Sequence, residues 1–272
     1  MGRRYPCRSV DVLTPRSLDE ALRLKAERPD AVPIQGGTDV MVELNFDRGR
    51  PSVLLNLNEV SELRGWSREN GTFRLGSGLT YTEAMEAPLA EAAPALAEAS
   101  RTVGSPQIRN RGTIGGNLGT ASPAGDALPP LLVADAELVL RSTGGERTLP
   151  LTDFLLGPKQ NALEPDELIV AVRMRPAGPR QTFMKIGPRN AMVIAVVSLA
   201  LAVDEDRGEV RASFGSAGPV PGLVTAPLEE RGELPERVAA AASPIDDVRG
   251  TAGYRTHALR VLTARALERC LA

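Results

Sequence analysis

The chain has 272 residues, and its 32 basic against 34 acidic side chains give a formal net charge of −2. This balance lacks the basic footprint of a nucleic-acid-binding protein, so no nucleic acid is expected as a partner. Two cysteines without a CxxC pair and a single histidine, His257, argue against a zinc or iron–sulfur site built by this chain alone.

The first part of the chain predicts a capped helix followed by a compact β-loop-α-β unit. Ser17 and Glu20 form a capping-box pattern, and Pro29 ends the helix that starts there. The unit that follows consists of a buried strand over 31–34, a helix over 40–46 and a strand over 53–57. Between its first strand and its helix lies the first glycine segment, Ile34-Gln35-Gly36-Gly37-Thr38-Asp39. Ligands favour this position at the carboxyl end of a strand.

The middle of the chain predicts helices and then antiparallel strands. Thr80 and Glu83 form a second capping box, which opens a helix near Thr82. An alanine-rich helical stretch covers 89–101 and is interrupted or begun by Pro94. The other elements predicted here are strands over 73–76 and 168–174, a hairpin over 136–141 and 147–151, and irregular turns over 112–117 and 121–126.

The stretch over 176–180 is the best domain boundary, because two prolines and a glycine follow a strand there. The elements predicted beyond it are strands over 192–203 and 210–214, a polar turn over 204–208, and helices near 235–242 and 254–271. His257 falls on the last helix, and we expect it at the surface. No signal peptide or 18-residue apolar span is evident, and cysteine is scarce, so we expect a cytoplasmic protein with no membrane span.

The second glycine segment is Gly112-Thr113-Ile114-Gly115-Gly116-Asn117. Glycine lets a ligand approach the backbone closely, and free N–H groups in such turns form concave anion sites. One Gly-Gly turn alone fits a structural turn as well. Two of them predict that the diphosphate of a dinucleotide is held from both sides. Neither segment has the GxGxxG or GxxxxGK[ST] spacing, which argues against a Rossmann domain and a P-loop.

These residues resemble a known family. The segments over 34–41, 107–117, 121–130 and 166–170, with Lys185, are similar to the FAD-binding medium subunit of the xanthine dehydrogenase and aerobic carbon monoxide dehydrogenase family of molybdenum hydroxylases. The second glycine segment, followed by Ala121-Ser122-Pro123 and Asp126, is the most specific combination. The resemblance covers nearly the whole chain.

The resemblance implies an α+β chain. Its fold would be the two-subdomain FAD-binding fold of the vanillyl-alcohol-oxidase type, followed by a small α/β C-terminal domain. The FAD-binding domain would cover 1–175, with subdomains of about 1–57 and 58–175. The C-terminal domain of the molybdenum-hydroxylase flavoprotein subunit would cover 176–272.

The resemblance also implies a non-covalent FAD site without a catalytic side chain or a metal. The residues expected around the adenosine diphosphate part are Ile34, Gln35, Gly36, Gly37, Thr38, Asp39 and Val40. Those expected at the second phosphate contact are Thr113, Gly115, Gly116 and Asn117. Asp126 would hold a cofactor hydroxyl, Ile169 would pack on the flavin region, and Lys185 would lie near the isoalloxazine.

Alternatives remain for four of the polar residues in these segments. Asp126 also fits the N-cap of a helix over 128–133, and Lys185 also fits a solvated strand lysine. Arg109 and Arg111 flank the second glycine segment, where they fit a phosphate contact, a surface position or a subunit interface. We leave these two arginines outside the predicted site.

The implied function is electron transfer within a larger complex. A large subunit with the molybdenum cofactor would hydroxylate the substrate. A small subunit with 2Fe-2S clusters would pass electrons to FAD, and NAD or another acceptor would receive them. An (αβγ)2 assembly is the family expectation. The alternatives are a stand-alone flavin reductase of the same fold superfamily, such as the enolpyruvyl reductase of cell-wall synthesis, and a flavin-free assembly or scaffold subunit.

Overall fold

The computed structural model describes residues 10–175 and 178–272. The predictions that involve Cys7 and the first two residues of the linker, Pro176 and Ala177, lie outside these residues. The helices are α1 Leu18–Glu27, α2 Val40–Asn45, α3 Leu89–Ala92, α4 Pro94–Thr102, α5 Pro106–Arg109, α6 Ile114–Thr120, α7 Leu128–Val133, α8 Leu151–Phe154, α9 Leu234–Ala241 and α10 Ala252–Leu271.

Within the described residues, the strands form three main sheets and one small ribbon. The strands are β1 Asp11–Leu13, β2 Val32–Ile34, β3 Val53–Asn56, β4 Trp66–Glu69, β5 Thr72–Gly76, β6 Glu137–Ser142, β7 Gly145–Pro150, β8 Leu155–Gly157, β9 Gln160–Asn161, β10 Leu168–Met174, β11 Gln181–Ile186, β12 Val197–Asp204, β13 Glu209–Gly215 and β14 Gly222–Pro227. The first sheet is parallel, in the order β1-β3-β2. The second is antiparallel, in the order β4-β5-β10-β6-β7, and the third is antiparallel, in the order β11-β12-β13-β14.

The central strand β10 explains how the first two sheets share one core. Its sequence, LIVAVRM, is apolar almost throughout, because both of its faces are covered. Ile169 and Val172 pack into the core under α6 and α7, whereas Val170 and Ala171 pack with α1 and β3. A bulge between Ile169 and Ala171 interrupts the alternation of the strand, so the consecutive residues Val170 and Ala171 lie on the same side.

Helices pack on both faces of the third sheet. One face of β12 carries larger apolar residues such as Leu199 and Leu201, which pack with α9 and α10. The other face carries Ala200 and Ala202, which pack with residues of α4 and α7. The small side chains on this face allow α4 and α7 to lie close to the sheet. The third sheet is thereby placed against the two helices whose flanking residues, Val103 after α4 and Asp126 before α7, line the cavity described below.

Both predicted capping boxes place hydrogen bonds at the expected residues, but only the first opens an α-helix. Ser17 Oγ accepts from the Glu20 amide at 3.2 Å and caps α1, as the sequence predicts. At the second capping box, Glu83 accepts from the Thr80 amide at 2.7 Å. It opens only a single 3-10 turn over Glu83–Met85, so the helix predicted near Thr82 is wrong.

Mixed helix and sheet confirm the predicted α+β class. Pro94 begins α4, and both terminal helices are present as α9 and α10. The strand predicted over 192–203 starts only at Val197, and residues 187–196 form an irregular segment instead. The predicted domain boundaries stay predictions. Among the described residues, no helix is both long and apolar enough to cross a membrane.

Candidate functional site

A cavity of about 570 Å³ lies between the ends of β2 and β10, the start of α6 and the turn before α7. We call it the glycine cavity, because both glycine segments line it. Its volume is within the range of pockets that hold small molecules and cofactors. The predicted site residues that line it are Ile34, Gln35, Gly36, Gly37, Thr38, Asp39, Val40, Thr113, Gly115, Gly116, Asn117, Asp126 and Ile169. Lys185 is the one predicted site residue that does not line this cavity.

The first glycine segment supplies free backbone donors. Among the described residues, the amides of Gly36, Gly37, Thr38 and Asp39 have no protein acceptor. Gly37 has a φ of 73°, a left-handed conformation that favours glycine. Thr120 donates to Asp39 Oδ2 at 3.0 Å and holds the segment against the end of α6. A run of consecutive free N–H groups in such a turn forms a cradle for an anion.

Gly36 is required by close packing between the two glycine segments. A Cβ built on Gly36 would lie 2.2 Å from the carbonyl oxygen of Arg111, a backbone atom that cannot move aside cheaply. Arg111 also donates through Nη2 to the carbonyl of Gln35 at 3.3 Å. The two segments are therefore in direct contact at one end of the cavity, as their pairing predicts.

The sequence predicts a loop at the second glycine segment, but in the structure this segment is the start of α6. Thr113 is the N-cap, and its Oγ1 accepts from the Gly116 amide at 3.0 Å. The Gly115 amide donates to the carbonyl of Ser77 at 2.7 Å. Both glycine amides therefore already have acceptors. The segment offers a ligand the hydroxyl hydrogen of Thr113 and a close approach to the backbone at Gly116.

The two glycines of α6 have different surroundings. A Cβ on Gly115 would lie 2.6 Å from the Ser77 carbonyl oxygen, so this glycine is needed for the contact between α6 and the chain after β5. A Cβ on Gly116 would meet only Thr113 Oγ1, at 3.1 Å. Because Gly116 lines the glycine cavity, any added side chain there would occupy ligand space.

Two buried acceptors of the cavity wall lack a partner. Asn117 Oδ1 and Asp126 Oδ1 are buried and accept no hydrogen bond from the described residues. An unpaired buried acceptor costs free energy unless a ligand or water supplies a donor. Asp126 does not cap α7, because the N-cap residue is Ala127 and no side chain caps it. The helix-capping alternative for Asp126 is therefore wrong.

Asp126 pairs instead with Lys185 of β11. Lys185 Nζ lies 2.6 Å from Asp126 Oδ2, with only 5% and 9% of the two side chains exposed. Nζ also donates to the carbonyl of Thr102 at 3.3 Å. Lys185 is thus buried behind Asp126, and the solvated-lysine alternative is wrong. Burial raises the pKa of the Asp126 carboxyl, against the attraction of Lys185 and its hydrogen bond.

Tyr81 was missed by the sequence analysis. Its ring lines the glycine cavity and is 5% exposed, and its hydroxyl has no partner among the described residues. Burial, with the carboxylates of Asp126 and Asp39, raises the pKa of the Tyr81 phenol, so the group stays protonated and able to donate. No local pattern marks this residue, because it reaches the cavity only through the contact of its chain segment with Gly112.

An exposed apolar wall was also missed. Met192, Val193 and Ile194 line one side of the glycine cavity, and Met192 and Ile194 are more than half exposed. Their β-branched and apolar pattern predicted the start of a strand. The strand begins only after them, and a positive φ at Met192 turns the chain toward the cavity instead.

The arginines beside the second glycine segment support the cavity walls. Arg109 Nη1 donates to the carbonyls of Val103 and Gly104, at 2.9 and 3.0 Å. Neither Arg109 nor Arg111 lines the cavity. His257 is exposed on α10, as predicted. Among the described residues, no three histidine, cysteine, aspartate or glutamate side chains converge on a possible metal position.

Comparisons with known proteins agree with one another. A model of the FAD-binding domain in molybdopterin dehydrogenase matches residues 8–176. The chain is 31% identical to the xanthine dehydrogenase FAD-binding subunit of Escherichia coli O157:H7 over 275 residues, 94% of each chain. It is 30% identical to the carbon monoxide dehydrogenase medium chain of Hydrogenophaga pseudoflava over 277 residues, 93% of this chain and 94% of that one. The fold also matches a chain of a solved structure, the carbon monoxide dehydrogenase from Hydrogenophaga pseudoflava in a form that lacks the Mo-pyranopterin moiety of the molybdenum cofactor. The TM-score is 0.88 and the sequence identity is 26%, and the match covers 96% of this chain and 97% of that one.

Proposed function

This chain belongs to the family of FAD-binding domains in molybdopterin dehydrogenase, and we propose that its glycine cavity binds FAD and serves electron transfer between a partner's iron–sulfur clusters and NAD or another acceptor. The related chains are subunits of xanthine and carbon monoxide dehydrogenases, so this chain is an oxidoreductase subunit of the molybdenum hydroxylase family. The observation that carries the proposed site is the run of free amides in the first glycine segment, which lines the same cavity as the residues of the two unpaired acceptors, Asn117 and Asp126.

The donor set fits a dinucleotide cofactor. The free amides of Gly36 to Asp39 suit a diphosphate without the help of lysine or arginine. Asn117 Oδ1 and Asp126 Oδ1 suit hydroxyl or N–H donors such as those of ribitol, ribose or a flavin ring. The space in front of Gly116 suits a group that must approach the backbone closely.

FAD, when bound, supplies the redox chemistry, and the protein supplies binding, orientation and electrostatics. We assign no general acid or base to this chain. Thr113 and Tyr81 present hydroxyl donors to the cavity, whereas Asp126 presents an acceptor whose position is fixed by Lys185. Ile169 supplies an apolar wall, and the segment over 192–194 shields the cavity from water on one side.

The partners are inferred from the family. We propose a large subunit with the molybdenum cofactor and a small subunit with 2Fe-2S clusters, in an (αβγ)2 assembly. The names of the relatives as FAD-binding subunit and medium chain support a multi-subunit enzyme. The scarcity of cysteine in this chain supports clusters carried by another subunit. The cytoplasmic location stays a prediction.

Tyr81→Phe tests whether the Tyr81 hydroxyl donates a hydrogen bond to FAD. The loss of one hydrogen bond to FAD is expected to raise the Kd for FAD about 3- to 10-fold. The free energy of unfolding should stay unchanged without FAD, because the hydroxyl has no partner among the described residues. Titration of the FAD-free chain with FAD, followed by flavin fluorescence, measures the change.

The exposed Tyr254 of α10 supplies the matched control, since Tyr254→Phe removes the same hydroxyl from a side chain that does not line the cavity. It should leave the Kd for FAD unchanged. Equal affinities for wild type, Tyr81→Phe and Tyr254→Phe would remove Tyr81 from the site.

Purification of the tagged chain from its native cells tests the proposed complex. We expect two further subunits to co-purify, with molybdenum and iron present in the preparation, and the flavin to be reduced when the enzyme turns over its substrate. A chain that purifies alone, binds FAD and reduces a substrate without partners would favour the stand-alone reductase. A chain that assembles with the same subunits but never contains FAD would favour the scaffold.

A further inference from the structure

A second cavity, of about 610 Å³, lies where the ends of β5 and β10 meet the third sheet. It shares no lining residue with the glycine cavity. We call it the arginine cavity, after five of its lining residues: Arg74, Arg173, Arg175, Arg207 and Arg211. Three carboxylates also line it: Glu69, Asp135 and Glu137. The function proposed above leaves this cavity unexplained.

Three of the five arginines form short ion pairs, which join the second sheet to the third. Arg175 Nη2 donates to Asp204 Oδ2 at 2.7 Å, and Arg207 Nη1 donates to Asp135 Oδ2 at 2.7 Å. Arg211 also forms an ion pair with Asp135. These contacts fix the wall of the cavity that the third sheet contributes. The remaining positive charge comes from Arg74 and Arg173.

Arg74 and Arg173 are direct neighbours in the β5–β10 register. Like charges at opposed positions of antiparallel strands destabilise the pair. Among the described residues, the only carboxylate within 4.0 Å of Arg173 is Glu146, at 3.9 Å, and Arg74 forms no ion pair or hydrogen bond. Glu137 is opposite Arg173 on β6 but lies beyond ion-pair distance. Two arginines thus occupy opposed positions of the sheet, and among the described residues only Glu146 forms an ion pair with either of them.

Arg211 adds a buried donor without a partner. Its side chain is only 8% exposed, and its Nε has no hydrogen-bond acceptor among the described residues. Native proteins rarely leave a buried guanidinium N–H without an acceptor. Arg211 on the third sheet and the pair Arg74 and Arg173 on the second sheet line the same cavity. A negatively charged group bound there would stabilise this concentration of positive charge.

The rest of the lining restricts the class of ligand. Leu132, Leu151 and Leu223 give the cavity an apolar side, which a free inorganic ion would leave unused. We propose that the arginine cavity binds a small organic anion. Its phosphate or carboxylate group binds Arg74 and Arg173, and its apolar part packs on the three leucines. This site is separate from FAD binding and does not depend on the proposed electron transfer.

Calorimetric titration of the FAD-saturated chain with phenyl phosphate, at constant ionic strength, tests this site. Saturation with FAD keeps the probe out of the glycine cavity. We expect saturable binding of phenyl phosphate, weaker binding of inorganic phosphate and no binding of phenol. Benzoate in place of phenyl phosphate distinguishes a preference for carboxylate from a preference for phosphate. Either preference supports the site.

Arg74→Gln and Arg173→Gln should each weaken the binding of phenyl phosphate about tenfold, the effect of losing a charge-assisted hydrogen bond. Arg141→Gln is the matched control, because Arg141 is in the same sheet and outside the cavity. It should leave the affinity unchanged. The absence of saturable binding, or an equal loss in all three variants, would overturn the proposal. If the chain does not bind FAD, the phenyl phosphate titration is carried out with the FAD-free chain and the same three variants.

Discussion

Lys185→Met is expected to lower the free energy of unfolding by about 3 to 5 kcal/mol at neutral pH, the usual cost of removing one partner of a buried ion pair. Lys185 and Asp126 are each less than a tenth exposed, and their charged atoms are 2.6 Å apart. Without the lysine, the carboxylate would be buried with no compensating charge. Urea unfolding of the chain without FAD measures the loss.

The pH dependence separates a charge effect from a loss of packing. Burial already raises the pKa of Asp126, and the removal of Lys185 should raise it further. Below about pH 3.9, the pKa of an aspartate in an unfolded chain, the carboxyl is protonated in both states and the variant should lose little stability. Just above it, the unfolded chains release the proton while both folded chains retain it, so wild type and variant lose stability in parallel. The loss relative to wild type should grow only above the raised pKa of Asp126 in the folded wild type, where the wild-type carboxyl ionises beside Lys185 and the variant carboxyl stays protonated. A loss that is constant with pH would contradict the electrostatic explanation.

Two variants act as controls for this prediction. Lys159→Met breaks an exposed pair with Glu43 at the same 2.6 Å distance, and it should cost no more than about 1 kcal/mol. The double variant Lys185→Met/Asp126→Asn removes both charges and should recover part of the stability lost in the single variant. If Lys159→Met and Lys185→Met cost the same, the burial of the Asp126–Lys185 pair has no energetic consequence.

Gly116→Val is expected to weaken FAD binding about 10- to 100-fold, the effect of 1 to 3 kcal/mol of overpacking. A Cβ at this position meets only Thr113 Oγ1, at 3.1 Å, so the chain should still fold. The added side chain would occupy the space where the cofactor approaches the backbone. Circular dichroism establishes the fold, and a fluorescence titration with FAD gives the affinity.

The matched control is Gly253→Val on α10, where a Cβ meets no atom within 4 Å. It carries the same cost of a β-branched residue in a helix and does not line the cavity, so it should leave FAD affinity unchanged. Gly116→Ala should show a smaller loss than Gly116→Val. Full FAD affinity in a folded Gly116→Val chain would contradict the placement of the cofactor against α6.

Features set by short stretches of sequence could be predicted. Ser17 and Glu20 are three residues apart, so the start of α1 is visible in the pattern and is confirmed. The apolar run of β10 is also continuous in the sequence and forms the central strand. The two glycine segments carried the resemblance to the family, which the comparisons confirm. Their contact at Gly36 and Arg111 explains why they belong to one site.

Features that depend on distant residues could not be predicted. Lys185 interrupts the apolar pattern of β11, and it is buried only because Asp126, 59 residues away in the sequence, compensates its charge. The edge strand β14 begins at Gly222 and ends at Pro227, residues that are typical of turns. The second glycine segment lacks good helix formers, and α6 exists because Gly115 packs on Ser77 and Thr113 caps the turn. In each case a tertiary contact overrides the local preference.

The most direct test of the proposed FAD site is the absorption spectrum of the purified chain, followed by that of its supernatant after heat denaturation. We expect flavin bands in the native chain and stoichiometric FAD in the supernatant. Release on denaturation follows from non-covalent binding, since the one histidine, His257, is exposed on α10 and is not part of the glycine cavity. A colourless chain that cannot be reconstituted with FAD would contradict cofactor binding in the glycine cavity.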